Sequence, residues 1–193
     1  MGMLDKIKFF QRLMADPELD RLYKQLKERR LDPGLLELED ALIRWAGFFH
    51  HHSLEYGIKH GMKVGRNPRV EPLVVFTGFE LIEIGDDFVA SSFCTVRAVA
   101  APIKIGNKVS IGPGAALLGA NHGIEPGVPH QDQPQKSKSI IIGDDVWLGA
   151  HCLVLPGVKI GSGSVLAAGS VVLEEIPEKV VAGGVPARVL RSR

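Results

Sequence analysis

The sequence predicts an all-β chain built as a parallel β-helix, with an α-helical extension ahead of it. Three observations predict this. From Ile84 to Pro177 an aliphatic residue recurs every six positions, often with Gly second and a small or apolar residue fifth. Residues 3–52 instead carry apolar side chains at helical spacing. The stretch from Gly123 to Ser139 (GIEPGVPHQDQPQKSKS) is polar, rich in Pro and Gly, and has no period. A fixed internal period specifies a whole architecture and so outranks local propensity.

In chain order, the extension comes first. Leu4, Ile7 and Leu13, then Leu19, Leu22 and Leu26, then Leu35, Leu42 and Trp45 give apolar faces for two or three amphipathic helices. Asp16-Pro17 reads as an N-cap followed by Pro at the first helical position, and Asp32-Pro33-Gly34 as a break. This helical region is expected to occupy 1–55, and its apolar faces must pack on the prism, a neighbouring subunit or a partner. The β-helix is expected over 56–177. Its first coil, within KVGRNPRVEPLVVF, is irregular but rich in β-branched residues. Regular coils follow at 84–101 and 105–122, with a short insertion at Pro102 to Lys104. The frame breaks after His122, so 123–139 is expected as a loop ejected from the prism; a long loop inside a strict repeat is usually functional or disordered. Coils resume at 142–159 and 160–177, where the repeat reads IGDDVW, LGAHCL, VLPGVK, IGSGSV, LAAGSV, VLEEIP. Residues 178–193 form a closing tail.

The repeat has a physical logic. Three short strands make one triangular coil of eighteen residues, and side chains alternate in and out along each strand. First-position aliphatics then stack coil over coil at about 4.8 Å, giving a continuous apolar column. The fifth position also points inward, near a corner where space is short, hence Val, Cys, Ala and Ser. Gly at the second position is expected to serve corner backbone conformations that other residues tolerate poorly. The sixth position faces out, which places His122 and Trp147 on the prism surface. A filled prism has no internal pocket, so an active site must lie outside, most naturally where two prisms meet.

Bulk properties exclude several classes. A formal charge of +1 with scattered Lys and Arg gives no nucleic-acid footprint. No run approaches the roughly eighteen apolar residues of a membrane span. The charged start MGMLDKIKFFQRL does not read as an export signal, so a cytoplasmic location is expected. Cys94 and Cys152, the two cysteines, both fall on inward fifth positions and read as small core residues rather than a disulfide or metal pair.

The segments IIIGDDVWLGAHCLVLPGVKIGSGSVLAAGSVVLEEIP and VVAGGVPARVLR, with the coil ending in ANH at His122, resemble the hexapeptide-repeat acyltransferases. More narrowly, they are similar to the maltose/galactoside/xenobiotic acetyltransferase group and the polysaccharide O-acetyltransferases. The likeness covers roughly residues 57–193 and is most specific where DDVWLGA and GGVPARVLR occur in order. It implies a left-handed β-helix, a handedness that opposes the usual crossover rule. It also implies a homotrimer, with acetyl-CoA as co-substrate in the clefts between neighbouring prisms and no metal.

Carried over by this resemblance, the catalytic histidine matches His122. An imidazole titrates near neutrality, so it can take a proton from a sugar hydroxyl as the oxygen attacks a thioester and then pass that proton to the thiolate. Direct transfer in a ternary complex is implied, since no nucleophilic Ser or Cys stands in the motif. Trp147 matches a tryptophan beside the reacting end of the cofactor. Ala150 and Ala168 match small residues whose backbone groups bind the pantetheine amides, and Arg188 and Arg191 match tail arginines that meet the CoA phosphates. On the acceptor side the candidates are Asn121 and Ser92, the latter standing in VASSFC where sugar acetyltransferases of the family often carry Asn. The N-terminal segment lacks the short acceptor-contacting motif of the maltose and galactoside enzymes. The ANHG context and long Pro-rich loop look closer to enzymes acting on polysaccharide or lipid-linked sugar precursors.

Each of these residues has a plainer alternative. His122 at a coil corner is by itself an ordinary surface histidine; frame position, following loop and downstream motif together favour catalysis. Trp147 has the alternative of packing at a subunit interface, and Arg188 and Arg191 that of a solvated basic tail. The run His50-His51-His52 cannot converge on a metal from one helix. His60, His130 and His151 have no partner at ligand spacing, His151 standing in an outward fourth position. Glu125 or Asp132 is the candidate to orient His122. The expected activity is acetyl-CoA-dependent O-acetylation of a sugar or saccharide hydroxyl. N-acetylation of an amino sugar or nucleotide sugar is the close variant. A gamma-type carbonic anhydrase would need three zinc-binding histidines, and no histidine stands five residues from His122. A non-catalytic scaffold is the remaining reading.

Overall fold

Each coil of the chain lays down three short strands, and successive coils pair in parallel to build three sheets. A computed structural model describes residues 53–193; the helices expected before His52 and the run His50-His51-His52 lie outside the described residues. The first described element is helix α1 (Leu54–Lys59), capped by Ser53, whose Oγ accepts from Tyr56 N at 3.2 Å.

The first face comprises β1 (Lys63–Val64), β4 (Ile82–Ile84), β7 (Ile103–Ile105), β12 (Ile140–Ile142) and β15 (Lys159–Ile160). The second face comprises β2 (Arg69–Val70), β5 (Val89–Ala90), β8 (Ser110–Ile111), β13 (Trp147–Leu148), β16 (Val165–Leu166), β18 (Val180–Gly184) and β19 (Ala187–Ser192). The third comprises β3 (Val75–Thr77), β6 (Thr95–Arg97), β9 (Ala116–Leu118), β14 (Leu153–Val154) and β17 (Val171–Val172). Every pairing within these faces is parallel except that of β18 with β19, where the tail folds back as a hairpin on the second face. The tail thus continues a face of the prism through the pairing of β18 with β16.

The core sits inside this triangle, as the alternation requires. Ile84, Ile105, Ile142 and Ile160 stack on the first face, Ala90, Ile111, Leu148 and Leu166 on the second, and Phe76, Val96, Leu117, Val154 and Val172 on the third, all buried. Fifth-position residues Phe88, Cys94, Val109, Ala115, Val146, Cys152 and Val158 are buried between them. Ser164 and Ser170 take the same place near the C-terminal end and stay satisfied by donating to Pro177 O and Ala167 O.

The register shows where the frame yields. On the first face Val64 pairs with Ile84, Ile84 with Ile105, Ile105 with Ile142 and Ile142 with Ile160, steps of 20, 21, 37 and 18 residues. Within each coil the inward residues remain six apart, as in Val64, Val70 and Phe76. The first coil therefore keeps the frame, and the irregularity expected there is the short 3-10 turn Phe79–Leu81 after it. All surplus residues lie at one corner, the third, where the chain passes from the third face back to the first.

The largest surplus is ordered differently from the expected loop. The chain leaves the frame at Gly119, and β10 (Ala120–His122) pairs antiparallel with β11 (Gln135–Ser137). Asn121, which the six-residue frame would turn inward, is exposed opposite Lys136. The period fails here because an antiparallel ribbon has no coil beneath it to pack on.

The role expected for second-position glycines is also corrected. Gly65, Gly85, Gly106 and Gly143 are not among the residues with positive φ. That conformation falls instead on the fourth position of the hexad, at Asn67, Asp87, Lys108, Asp145 and Gly163 on the first corner and Leu73, Phe93, Gly114, His151 and Gly169 on the second. The second-position glycines answer to close approach: a Cβ on Gly106 would stand 2.5 Å from Asp144 Oδ1 and 2.7 Å from the Gly143 backbone. The crowding atom belongs to a ladder along the first corner. Asp86 Oδ1 accepts from Arg66 N (2.7 Å), Asn107 Oδ1 from Asp86 N (2.8 Å), Asp144 Oδ1 from Asn107 N (2.6 Å) and Ser162 Oγ from Asp144 N (3.0 Å).

Two predictions follow from this packing. Gly106→Ala is expected to cost about 1–3 kcal/mol by overpacking, and Gly106→Asn no less. Gly169 has φ +72° and nothing within 4 Å of a Cβ, so Gly169→Ala should cost about 1–2 kcal/mol through strain alone. Gly169→Asn should then be milder, because Asn tolerates the left-handed region; unfolding midpoints of the four variants check the ordering. Burial pushes the thiols of Cys94 and Cys152 up, and each donates to a carbonyl, Gly112 O and Ala167 O, at 3.1 Å. Neither should react with a thiol reagent in the native protein at neutral pH, while both react after unfolding; stoichiometric native labelling would contradict the placement.

Candidate functional site

Two regions carry the candidate residues, and they lie at different corners. His122 ends β10, exposed, at the point where the ribbon leaves the third corner. Trp147 opens β13 on the second face, between Ser110 and Val165, and is 56% exposed. Beyond it, the second corner stacks Ser92, Pro113, Ala150 and Ala168 one above another. His151 N donates to Pro113 O at 2.9 Å, Gly169 N to Ala150 O at 2.8 Å and Gly114 N to Ser92 O at 3.1 Å.

The second corner differs from the first in one respect that bears on ligand binding. At the first corner the third-position N–H groups are taken up by the Asp/Asn/Ser ladder. At the second corner the equivalent side chains are Pro113, Ala150 and Ala168, which offer no acceptor. Among the described residues, nothing accepts from the N–H of Ala150 or Ala168. Two backbone donors therefore stand open, one coil apart, beside an exposed indole. An extended arm bearing amide carbonyls fits such a strip, and a larger third-position side chain would cover it.

Ser92 is held rather than free. Glu71 Oε2 accepts from Ser92 N at 2.7 Å and from Ser92 Oγ at 3.1 Å. With its proton committed, the Ser92 hydroxyl has only acceptor capacity left for a ligand. On the tail, Arg188 reaches Glu174 Oε2 at 3.1 Å, and Arg191 donates to Ser192 O at 3.1 Å, both on β19. Arg193, which the repeat frame does not reach, is tied to the first corner of the prism. Its Nη1 donates to Asp145 Oδ2 (3.0 Å), Asp145 O (3.1 Å) and Gly163 O (2.9 Å) at the first corner.

Around His122 the neighbours differ from those expected. Among the described residues, neither Glu125 nor Asp132 is hydrogen-bonded to His122; Glu125 instead pairs with Lys136 at 3.2 Å. The residue that meets His122 is His130, with ring centroids 5.8 Å apart and planes 86° apart. No sequence spacing could have indicated it, because seven residues of unpatterned loop separate the two. No contact links His122 with Trp147, Ala150 or Ala168 among the described residues. His60 stacks on Tyr56 at 3.9 Å, and the His151 ring covers Gly114. Among the described residues, no three His, Cys, Asp or Glu side chains converge to hold a metal ion, and no helix is long and apolar enough to cross a membrane.

Comparison with known proteins is consistent in fold and in sequence. Residues 139–174 match the family model described as bacterial transferase hexapeptide (six repeats). The galactoside O-acetyltransferase of Escherichia coli (strain K12) is 34% identical over 187 residues, covering 94% of this chain and 87% of that protein. A hexapeptide-repeat-containing acetyltransferase from Vibrio cholerae O1 biovar eltor, solved with acetyl coenzyme A, superposes with a TM-score of 0.65 at 30% identity, covering 93% of this chain and 91% of the other. A galactoside acetyltransferase in complex with coenzyme A gives a TM-score of 0.64 at 32% identity over 84% of each chain. With its parallel three-faced coil, its six-residue period and these relatives along most of its length, the chain belongs to the hexapeptide-repeat acetyltransferases.

Proposed function

We propose that this acetyltransferase moves the acetyl group of acetyl-CoA to a hydroxyl of a sugar or polysaccharide precursor, with His122 as general base. The observation that carries the donor side is the open strip at the second corner: the free N–H groups of Ala150 and Ala168 beside exposed Trp147. In this reading Ala150 and Ala168 bind the amide carbonyls of the pantetheine arm, Trp147 flanks its reacting end, and Arg188 and Arg191 meet the phosphates. Acetyl-CoA supplies the activated thioester. His122 takes the proton of the acceptor hydroxyl as its oxygen bonds to the acetyl carbon, and returns that proton to sulfur as the carbon–sulfur bond breaks. The products are an acetyl ester and free CoA thiol.

The division of residues between two corners supports a site shared between subunits. His122 stands at the third corner and the donor strip at the second, so a neighbouring copy set corner to face would bring the two together. A homotrimer contains three such clefts. The sugar acceptor is supported by the similarity to a galactoside O-acetyltransferase; Ser92 and Asn121 are the contacts that this reading assigns to it.

Coenzyme A is expected to raise the unfolding temperature, since a ligand at 100 times its Kd stabilises the native state by about 2.7 kcal/mol. No shift at millimolar CoA would sink the donor assignment. His122→Ala should lower kcat by about 10²–10⁴ while the CoA-induced shift persists, measured by thiol release against a panel of saccharides. Loss of that shift in His122→Ala would make His122 a structural residue instead.

A further inference from the structure

We propose that His130 and Gln133 are positioning residues, with the Gln133 amide locking the loop so that the His130 ring is held edge-on against His122. The inference rests on His122 being the general base. It begins from a contrast within residues 123–134. Most of this segment is exposed, Ile124 at 85%, and surface loops of this length are ordinarily the mobile parts of a protein. Gly123 and Gln133 are its two buried residues.

The Gln133 side chain is bonded through both ends of its amide. Its Oε1 accepts from Glu125 N at 2.8 Å, and its Nε2 donates to Glu125 O at 3.0 Å and Val128 O at 2.8 Å. Three backbone groups on the opposite side of the loop are thereby satisfied by one side chain. Gly123, next in sequence to His122, packs directly on this amide: a Cβ there would collide with Gln133 Oε1 and stand 2.8 Å from Gln133 Cβ. Gln133 also closes the 3-10 turn His130–Asp132, donating its own N–H to His130 O at 3.3 Å.

The contacts form a closed circuit. His122 continues into Gly123, Gly123 touches Gln133, Gln133 fixes the turn that carries His130, and the His130 ring returns to His122. The ribbon holds the base, with Gly123 N donating to Pro134 O at 3.2 Å. An imidazole at the exposed end of a strand would otherwise sweep several rotamers. General-base catalysis requires one of them, because a displacement of about 1 Å can cost about 10²-fold in rate.

The test uses the full chain, with acetyl-CoA and whichever saccharide the panel shows to be acetylated. His130→Ala and Gln133→Leu are expected to lower kcat by about 10–100-fold with KM for acetyl-CoA within about twofold of the parent. His130→Phe keeps a ring against His122 and should recover most of the loss. A direct readout is the ring Cε1–H resonance of His122, assigned by its disappearance in His122→Ala. This resonance should shift and broaden in His130→Ala and Gln133→Leu and sharpen again in His130→Phe. If Gln133→Leu does not fold, Gly123→Ala displaces the same amide and should act alike. An unchanged His122 resonance in His130→Ala, a His130→Phe no better than His130→Ala, or a loss carried by KM for acetyl-CoA would each overturn the proposal. Absence of acetyl transfer by the parent protein to any saccharide would overturn the proposed function instead, and leaves the resonance test standing.

Discussion

Everything in this molecule depends on coils stacking at strand spacing, about 4.8 Å, with their inward residues in register. Ile84, Ile105, Ile142 and Ile160 each bury against the next only if every coil offers its aliphatic residue at the same point of the perimeter. That requirement fixes the two six-residue steps within each coil. It also forbids a side chain wherever two corners touch, which is why glycine follows the aliphatic residue so often. The ion pairs of Glu83 with Lys63 and Lys104, and of Arg66 with Asp86, lie on the exposed outside. Solvent screens such pairs, so they decorate the register that the column sets.

From one repeated unit the chain makes three unlike corners. At the first corner, side-chain oxygens of Asp86, Asn107, Asp144 and Ser162 satisfy the backbone donors from coil to coil. At the second, Ala150 and Ala168 leave the equivalent donors open. The third corner absorbs the surplus length and carries His122. The same backbone therefore makes one corner with its donors satisfied, one with its donors open and one that absorbs length, according to which residue occupies the third place of the hexad and how many residues are added after the third face.

The sequence made the repeating part legible because a period of six leaves the interior no freedom. Burial of Leu148, Val154, Ile160 and Leu166 could be read from spacing alone. So could the stacking of Ala150 over Ala168, eighteen residues apart. The reason position 106 needs Gly is not legible in the sequence, because spacing shows where a residue stands but not whether torsion or a neighbour's oxygen forbids its Cβ. Beyond Gly119 the ruler fails. The pairing of His122 with Gln135, the Gln133 amide at the loop centre and the meeting of His130 with His122 arise from contacts across an unpatterned fold-back. The contacts of Arg193 are illegible for a similar reason, since its partners Asp145 and Gly163 are distant in sequence.

The steps of 20, 21 and 37 residues at the third corner have a practical meaning. A length change there leaves the six-residue steps, the inward columns and the second-corner strip untouched. A change confined to the ribbon and its loop is mechanically uncoupled from the scaffold. That corner behaves as an exchangeable socket: a ribbon of different length or chemistry can be grafted between Gly119 and Ile140 without redesigning the body that holds it.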